Sequence, residues 1–199
     1  MWGRCSPGWP TAWVPCEPPH LILIPLDERR TPIATDSQPI DPEKVDYHEI
    51  ARRGDTEVME VFLEAGLPPD LVDHRGFTLL MIATYNDQKE MVDLLLRAGA
   101  NVDAPDPSGN TPLMGVCFKG YEELGLHLLE KGADPDAQNH AGTTPLIMAA
   151  MFNRVRLTRA LLERGADPTI TDPRGATALD IARSQDHAEL VELLTTKGA

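Results

Sequence analysis

The 199-residue chain has few cysteines, few aromatic residues and a shortage of positive charge. Its three cysteines, Cys5, Cys16 and Cys117, form no Cys-x-x-Cys pair, so the sequence carries no zinc-finger or redox signature. A disulfide between Cys5 and Cys16 is compatible only with a secreted protein, and Cys117 is expected to be a small buried thiol. The six histidines are scattered, and none pairs with a second metal ligand at helical spacing. We therefore predict that the protein uses no metal and no cofactor.

Long apolar runs and catalytic motifs are also missing. No run approaches the roughly 18 apolar residues that a membrane helix needs, and the stretch 21–24 is too short for a signal-peptide core. The absence of a signal peptide favours the cytoplasm, although export by a specialised bacterial route leaves no such mark. The chain contains neither a phosphate-binding glycine loop nor a Gly-x-Ser-x-Gly motif. We therefore predict that the protein is not an enzyme.

The charge balance is acidic, with 31 Asp and Glu against 18 Lys and Arg, and the net charge is −13. Residues 1–42 contribute −2, which leaves −11 for residues 43–199. Such a surface repels the phosphates of nucleic acids and of anionic membranes, so neither is expected as a partner. The same charge favours solubility, and we expect a monomer.

One phrase recurs every 33 residues. It reads Gly-Asn-Thr-Pro-Leu from Gly109, and related phrases begin at Gly76, Gly142 and Gly175. Two more rows of residues keep the same period without a slip, and they are Gly66, Gly99, Gly132, Gly165 and Gly198, then Asp73, Asp106, Asn139 and Asp172. Three landmarks at one constant spacing predict a solenoid of stacked repeats.

The chemistry of one repeat predicts a turn followed by two helices. Thr111 before Pro112 is typical of a helix start, because the hydroxyl accepts from a free backbone N–H and proline has none to lose. This helix is predicted to run to about Phe118, and a second from Glu122 to Lys131. A run of turn-forming residues follows. Since one helix pair cannot bury its apolar faces alone, neighbouring repeats must stack.

This unit resembles the ankyrin repeat, whose motif is Gly-x-Thr-Pro-Leu-His-x-Ala at a period of 33 residues. The resemblance covers about residues 43–199 and implies an all-α solenoid of helix-turn-helix units joined by β-turn loops. Its compactness is similar to that of bacterial ankyrin-repeat proteins. The sequence departs from the motif in two ways. The histidine, which in the family helps to hydrogen-bond the turns, is replaced by Met81, Met114, Ile147 and Asp180, and the proline by Leu79 and Ala178.

Five repeats are predicted within residues 43–199, of which the first and last are polar caps. Their ranges are 43–75, 76–108, 109–141, 142–174 and 175–199. In the first repeat, Val58, Val61, Phe62 and Leu63 are expected to hold the second helix in register.

Residues 1–42 form a segment of different composition, with nine of the 18 prolines and all three tryptophans. We predict a disordered, proline-rich tail. It has three interpretations: a passive tail, a docking segment, or a stretch upstream of the true start of translation.

The candidate site comes from the resemblance. In the family, partners are usually held by the turn tips and by exposed positions of the inner helices. Those positions here carry His74, Arg75, Phe77, Tyr85, Asn86, Asn110, Phe118, Lys119, His140, Met151, Phe152 and Arg174. Tyr85, Phe118 and Met151 are 33 apart and should form an apolar stripe. Exposed apolar patches mark interaction sites, whereas the alternative is that these side chains only seal the array.

The predicted function is non-catalytic binding of a protein partner through the concave face of the solenoid. One alternative is a regulatory inhibitor or structural subunit of an enzyme complex, which would have one obligate partner. Another is an enzyme or metal protein, which could rest only on the tail and Cys117.

Overall fold

The computed structural model describes residues 45–197, so the predicted tail and the pair Cys5 and Cys16 lie outside the described residues. The described residues form ten helices, and apart from two isolated β-bridges they contain no strand. The predicted all-α fold is therefore confirmed. The helices are α1 Tyr47–Arg53, α2 Thr56–Glu64, α3 Leu79–Tyr85, α4 Lys89–Arg97, α5 Pro112–Lys119, α6 Glu122–Glu130, α7 Pro145–Met151, α8 Val155–Glu163, α9 Ala178–Ser184 and α10 Ala188–Lys197.

The odd-numbered helices form an inner row and the even-numbered helices an outer row. Each inner helix contacts the next inner helix and the outer helix that follows it in the chain. The inner helices α3, α5 and α7 are almost wholly buried, and α5 includes Leu113 and Cys117, both with no exposed surface. Cys117 is a buried thiol, as expected, and burial raises its pKa to about 12.

Threonine starts each inner helix from α3 onwards. The hydroxyls of Thr78, Thr111, Thr144 and Thr177 accept from the backbone N–H three residues later, over 3.1 to 3.4 Å. At the last of these positions the carboxylate of Asp180 accepts in return from the N–H of Thr177 over 3.0 Å. Asp180 stands where the motif has histidine, and it completes a capping box there.

The row of Asp and Asn landmarks organises the turns between repeats. In each turn the Oδ1 atom accepts from the backbone N–H groups two and four residues later, as Asp106 does from Ser108 over 2.8 Å and from Asn110 over 2.9 Å. Asp172 is the member of this row in the last turn. The hydrogen bond from the backbone N–H of Ala176 lowers the pKa of its carboxyl group, desolvation opposes that shift, and Arg174 adds to it. These side chains satisfy backbone donors that would otherwise have no partner.

A second row of side chains joins each repeat to the next. Asp70, Asp103 and Asp136 each accept from the backbone N–H 31 residues later, over 2.8 to 3.0 Å. Arg154 reaches back in the same way, and its guanidinium donates to the carbonyls of Cys117, Phe118 and Lys119 at the end of α5. A cation at the C-terminal end of a helix also complements the helix dipole.

The first repeat differs from its sequence prediction. Val58 and Val61 are 46% and 63% exposed, so the expectation that they hold α2 in register is wrong. Met59 is fully buried instead, and Phe62 packs edge to face on Tyr47 with ring centroids 5.1 Å apart. Residues 59, 62 and 63 lie on one face of a helix, and residues 58 and 61 lie beside it.

Candidate interaction surface

Two hollows lie next to each other on the inner-helix face and share Tyr85 as a wall. The arginine hollow has a volume of about 290 Å³, and its lining is Arg52, Arg75, Phe77, Ile82, Tyr85, Asn86 and Asp106. The glycine hollow has a volume of about 220 Å³, and its lining is Tyr85, Asn110, Met114, Gly115, Phe118 and Met148. The two hollows therefore span the first three repeats and reach α7.

The arginine hollow combines positive charge with apolar lining. The guanidinium of Arg75 lies 5.3 Å from the centroid of the Phe77 ring, within cation–π distance. Its Nε atom is 3.4 Å from the carboxylate of Asp73, and the side chain remains 57% exposed. Arg52, at the end of α1, forms an ion pair with Glu49 one turn earlier. The lining of the hollow thus contains two arginines, and the guanidinium of one of them, Arg75, lies beside Phe77.

Asp106 is the acidic residue in the lining of the arginine hollow, and both of its carboxylate oxygens are engaged by the turn. Oδ1 accepts the two backbone N–H groups described above, and Oδ2 accepts from the side-chain amide of Asn110 over 3.0 Å. Desolvation first, and the charge of Asp106 second, raise the pKa of Tyr85, so the phenol stays protonated at neutral pH.

The glycine hollow exists where one inner helix lacks a side chain. Gly115 occupies the position that Ile82, Met148 and Ile181 occupy in the second, fourth and fifth repeats and Glu49 in the first. A Cβ atom on Gly115 would lie 3.0 Å from the edge of the Tyr85 ring, so the ring packs directly against this glycine. A larger residue here would collide with Tyr85 and fill the space between it and Phe118.

The aromatic positions are only partly occupied by packing. Phe118 contacts Phe152 edge to face, with centroids 4.9 Å apart, yet it is 46% exposed. The Nζ atom of Lys119 lies 5.9 Å from the Tyr85 ring centroid. Met151 is 39% exposed but lines neither hollow. The predicted stripe therefore consists of the exposed Phe118 and Met151 and the half-buried Tyr85, and Tyr85 and Phe118 line the same hollow.

The structure gathers half of the sequence-predicted residues around the two hollows. They are Arg75, Phe77, Tyr85, Asn86, Asn110 and Phe118. Two of these residues also stabilise the fold. The side-chain amide of Asn86 donates to the backbone carbonyl of Ile82 over 2.7 Å, and the side-chain oxygen of Asn110 accepts from the side-chain amide of Asn139 over 2.7 Å.

The other predicted residues lie outside these linings. His74 lines a separate hollow beside α1, and the backbone N–H of His140 donates to Ser108 over 3.0 Å. Arg174 is 82% exposed and paired with Asp172 over 3.0 Å. Lys119 lies near Tyr85 and Phe152 contacts Phe118, but neither lines one of the two hollows. Met151 lies outside both linings as well.

Sequence reasoning missed six of the lining residues, namely Arg52, Ile82, Asp106, Met114, Gly115 and Met148. The 33-residue period could have found two of them. Arg52 is one period before Tyr85, and Gly115 is the small residue in a row of larger ones.

Titratable residues elsewhere in the described part of the chain form small ion-pair groups. Asp93 on α4 lies 2.7 Å from His127 on α6 and 3.4 Å from Lys131. Desolvation opposes the change, but hydrogen bonds from both partners lower the pKa of Asp93. Within residues 45–197 no three His, Cys, Asp or Glu side chains come together as a metal site, and no helix is long and apolar enough to cross a membrane.

Comparison with known proteins agrees with this geometry. A family model for ankyrin repeats in three copies matches residues 47–139 and 116–199. The chain belongs to the ankyrin-repeat family. Ankyrin repeats are in general modules of protein–protein interaction.

A relative in Pseudomonas aeruginosa, whose name describes it as an ankyrin repeat protein, is 45% identical over 38 residues. That match covers 19% of this ankyrin-repeat chain and 22% of the relative. The chain thus spans about a fifth of the length of the curated relative that it matches.

Proposed function

We propose that this ankyrin-repeat protein is a non-catalytic binding module that holds a protein partner on the concave face of its inner helices, with Tyr85 and Phe118 as anchors. The observation that carries the proposal is that both side chains border one unfilled hollow while Phe118 remains 46% exposed. Aromatic side chains beside a pocket are the usual centres of protein interfaces.

The competing interpretation is that these side chains only seal the array. The contact between Phe118 and Phe152 agrees with it, because packing accounts for part of the ring. Sealing does not explain why Gly115 leaves a hollow next to Tyr85, since its counterparts in the other repeats are large. An array selected only for packing would carry a large apolar residue there as well.

The acidity of the chain supports a protein partner. A net charge of −13 opposes association with nucleic acid and with anionic membranes. We therefore propose a folded protein as the partner, with this chain acting as a monomer in the cytoplasm.

Affinity capture tests the proposal. The full-length chain, its Tyr85→Ala/Phe118→Ala variant and its Val61→Ala variant are used to capture proteins from a lysate of the native host. Val61 is the matched control, because it is 63% exposed but lies on α2, away from the two hollows. We expect a protein retained by the wild type and the control and lost by the double variant.

The captured protein is then purified and its affinity is measured against each single variant. Removal of one aromatic anchor should weaken binding by about 2 kcal/mol, or roughly 30-fold. Circular dichroism melting of each variant checks that the array remains folded. A folded double variant that captures the same proteins as the wild type would overturn the proposal.

A further inference from the structure

We propose that the bound segment of the partner carries an acidic side chain about 10 Å from a large apolar side chain, with the carboxylate against Arg52 and Arg75 and the apolar group in the glycine hollow. This inference rests on the proposed function and specifies the chemistry that the same face would recognise. Charge complementarity, hollow size and hollow spacing each support it.

The arginine hollow offers free guanidinium donors although its surroundings are acidic. The charged residues of its lining are Arg52, Arg75 and Asp106. Glu49 binds Nη1 of Arg52, Asp73 lies against Nε of Arg75, and the turn occupies the carboxylate oxygens of Asp106. Arg75 uses Nε towards Asp73, and its two Nη groups have no hydrogen-bond partner among residues 45–197. A guanidinium donates to a carboxylate through two parallel N–H groups, so the lining favours an acidic side chain.

The glycine hollow favours an apolar side chain. Its lining is dominated by Met114, Met148, Phe118 and the Tyr85 ring, and it carries no charged residue. Methionine is a flexible side chain that adapts to the group packed against it. The side chain of Asn110 already donates to Asp106 and accepts from Asn139, so it does not need a polar group of the partner as a hydrogen-bond partner.

The sizes of the hollows are sufficient for single side chains. Their volumes are about 290 and 220 Å³, at or below the lower end of the roughly 300–1,000 Å³ of pockets that enclose metabolites or drugs. Each hollow has room for one side chain of a longer segment.

The spacing of the hollows predicts the spacing of the two side chains. The arginine hollow lies at α1 and α3 and the glycine hollow at α3 and α5, so their centres are about one helix-packing distance, ~10 Å, apart. A polyproline II segment rises ~3.1 Å per residue with three residues per turn, which places positions i and i+3 on one side, ~9 Å apart. For a segment bound in this conformation, which we include in the proposal, the expected motif is an Asp or Glu three residues from a Leu, Ile, Met or Phe.

Peptide selection tests this inference with a defined probe. A library of random 12-residue peptides displayed on phage is selected against the full-length chain. We expect the enriched peptides to share an acidic and a large apolar residue three positions apart. The best peptide is then synthesised with a fluorophore, and its affinity is measured by anisotropy against wild type and variants.

Two variants separate the two contacts. Arg52→Gln/Arg75→Gln should weaken the acidic peptide at least tenfold, but should leave the affinity of the same peptide with Asn or Gln in place of its acidic residue nearly unchanged. Gly115→Met, which installs the residue found at position 148, should fill the hollow and weaken both peptides. Val61→Ala should bind like the wild type. Circular dichroism melting confirms folding, and the arginine variant tests the inference even if Gly115→Met is unstable.

Several outcomes would overturn the inference. They are the failure to enrich any peptide, a shared motif without an acidic residue, and peptides that bind both variants as well as the wild type. Sedimentation of the full-length chain as a dimer that Gly115→Met dissociates would show that a second copy occupies the hollow. If lysate capture still depends on Tyr85 and Phe118, the proposed function survives any of these results. If neither lysate capture nor peptide binding depends on the residues of the two hollows, both proposals are wrong.

Discussion

Two rows of residues recur at the same 33-residue period and behave in opposite ways. The turn row, Asp73, Asp106, Asn139 and Asp172, carries nearly one chemistry and makes the same two backbone hydrogen bonds in each repeat. The inner-face row, at the ends of the inner helices, carries five different residues, Arg52, Tyr85, Phe118, Met151 and Ser184. A position whose side chain must accept hydrogen bonds from the backbone carries Asp or Asn in every turn. A position without that requirement can carry a different residue in each repeat. We therefore propose that the varied row sets the binding specificity of this array.

The largest stability effect should come from removing a member of the turn row. Asp106→Ala leaves the N–H groups of Ser108 and Asn110 without their acceptor in a turn where Asp106 is only 8% exposed. An unsatisfied buried donor costs about 1–3 kcal/mol, so we expect a loss of roughly 3 kcal/mol in the free energy of unfolding. Urea denaturation followed by circular dichroism measures it.

Asp106→Asn is the matched control, because Asn139 makes the same two bonds one repeat later. We expect this variant to lose less than about 1 kcal/mol. Equal losses in the two variants would show that the turn row does not stabilise the array through these hydrogen bonds.

An intermediate effect on stability is expected when the two helical glycines Gly125 in α6 and Gly115 in α5 are replaced by alanine, and the two variants should differ. A Cβ atom on Gly125 would lie 2.4 Å from a methyl of Leu157 and 3.0 Å from Val116, so Gly125→Ala should destabilise the array by about 1–3 kcal/mol through overpacking. Gly115→Ala meets only the edge of the partly exposed Tyr85 ring, and the higher helix propensity of alanine, up to about 1 kcal/mol, offsets that contact.

Thermal unfolding of both alanine variants compares the packed interior around Gly125 with the hollow beside Gly115. Gly125→Ala should melt at a lower temperature than the wild type, and Gly115→Ala should melt within a few degrees of it. A similar decrease in melting temperature in both variants would mean that the glycine hollow is as tightly packed as the interior. It would then have no room for a partner side chain.

The smallest effect should be a pH dependence of the turn row. Backbone N–H donation from Ala176 and pairing with Arg174 hold the pKa of Asp172 below its ordinary value of 3.8. Because the folded pKa is the lower one, this carboxylate stabilises the fold above the unfolded pKa, and the contribution is lost as the pH falls through the folded pKa.

Melting temperatures of the wild type and Asp172→Asn between pH 7 and about pH 2.5 test this linkage. The advantage of the wild type over the variant should be constant above about pH 5 and should shrink below about pH 4. An advantage that stays constant to the lowest pH would show that the charge of Asp172 contributes nothing.

Much of the fold could be predicted because single residues carry it. Thr111 and Pro112 indicate the start of α5, and Gly120, at φ 84°, ends it in a left-handed conformation that glycine adopts readily. The sequence was less informative in the first repeat, which lacks the Thr-Pro-Leu phrase. There Val58 and Val61 gave an apolar pattern, but Met59 supplies the buried contact.

The candidate site was predicted only in part. Tyr85 and Phe118 follow from the period, and the structure places both beside one hollow. The hollow itself depends on Gly115 and on the direction of the Tyr85 ring, which tertiary packing sets. The period shows that Gly115 is smaller than its counterparts, but the hollow beside it appears only when the neighbouring ring is located.

The carboxylates that link the repeats also bear on how quickly the chain folds. The bonds from Asp70 to Asn101, from Asp103 to Asp134 and from Asp136 to Asp167 each close a loop of 31 residues. Contacts so near in sequence cost little loop-closure entropy, and topologies built from them fold fast. Any two adjacent repeats can serve as a nucleus from which the array grows outward. We expect such a chain to begin to fold on the ribosome once about three repeats have emerged, before the later ones are synthesised.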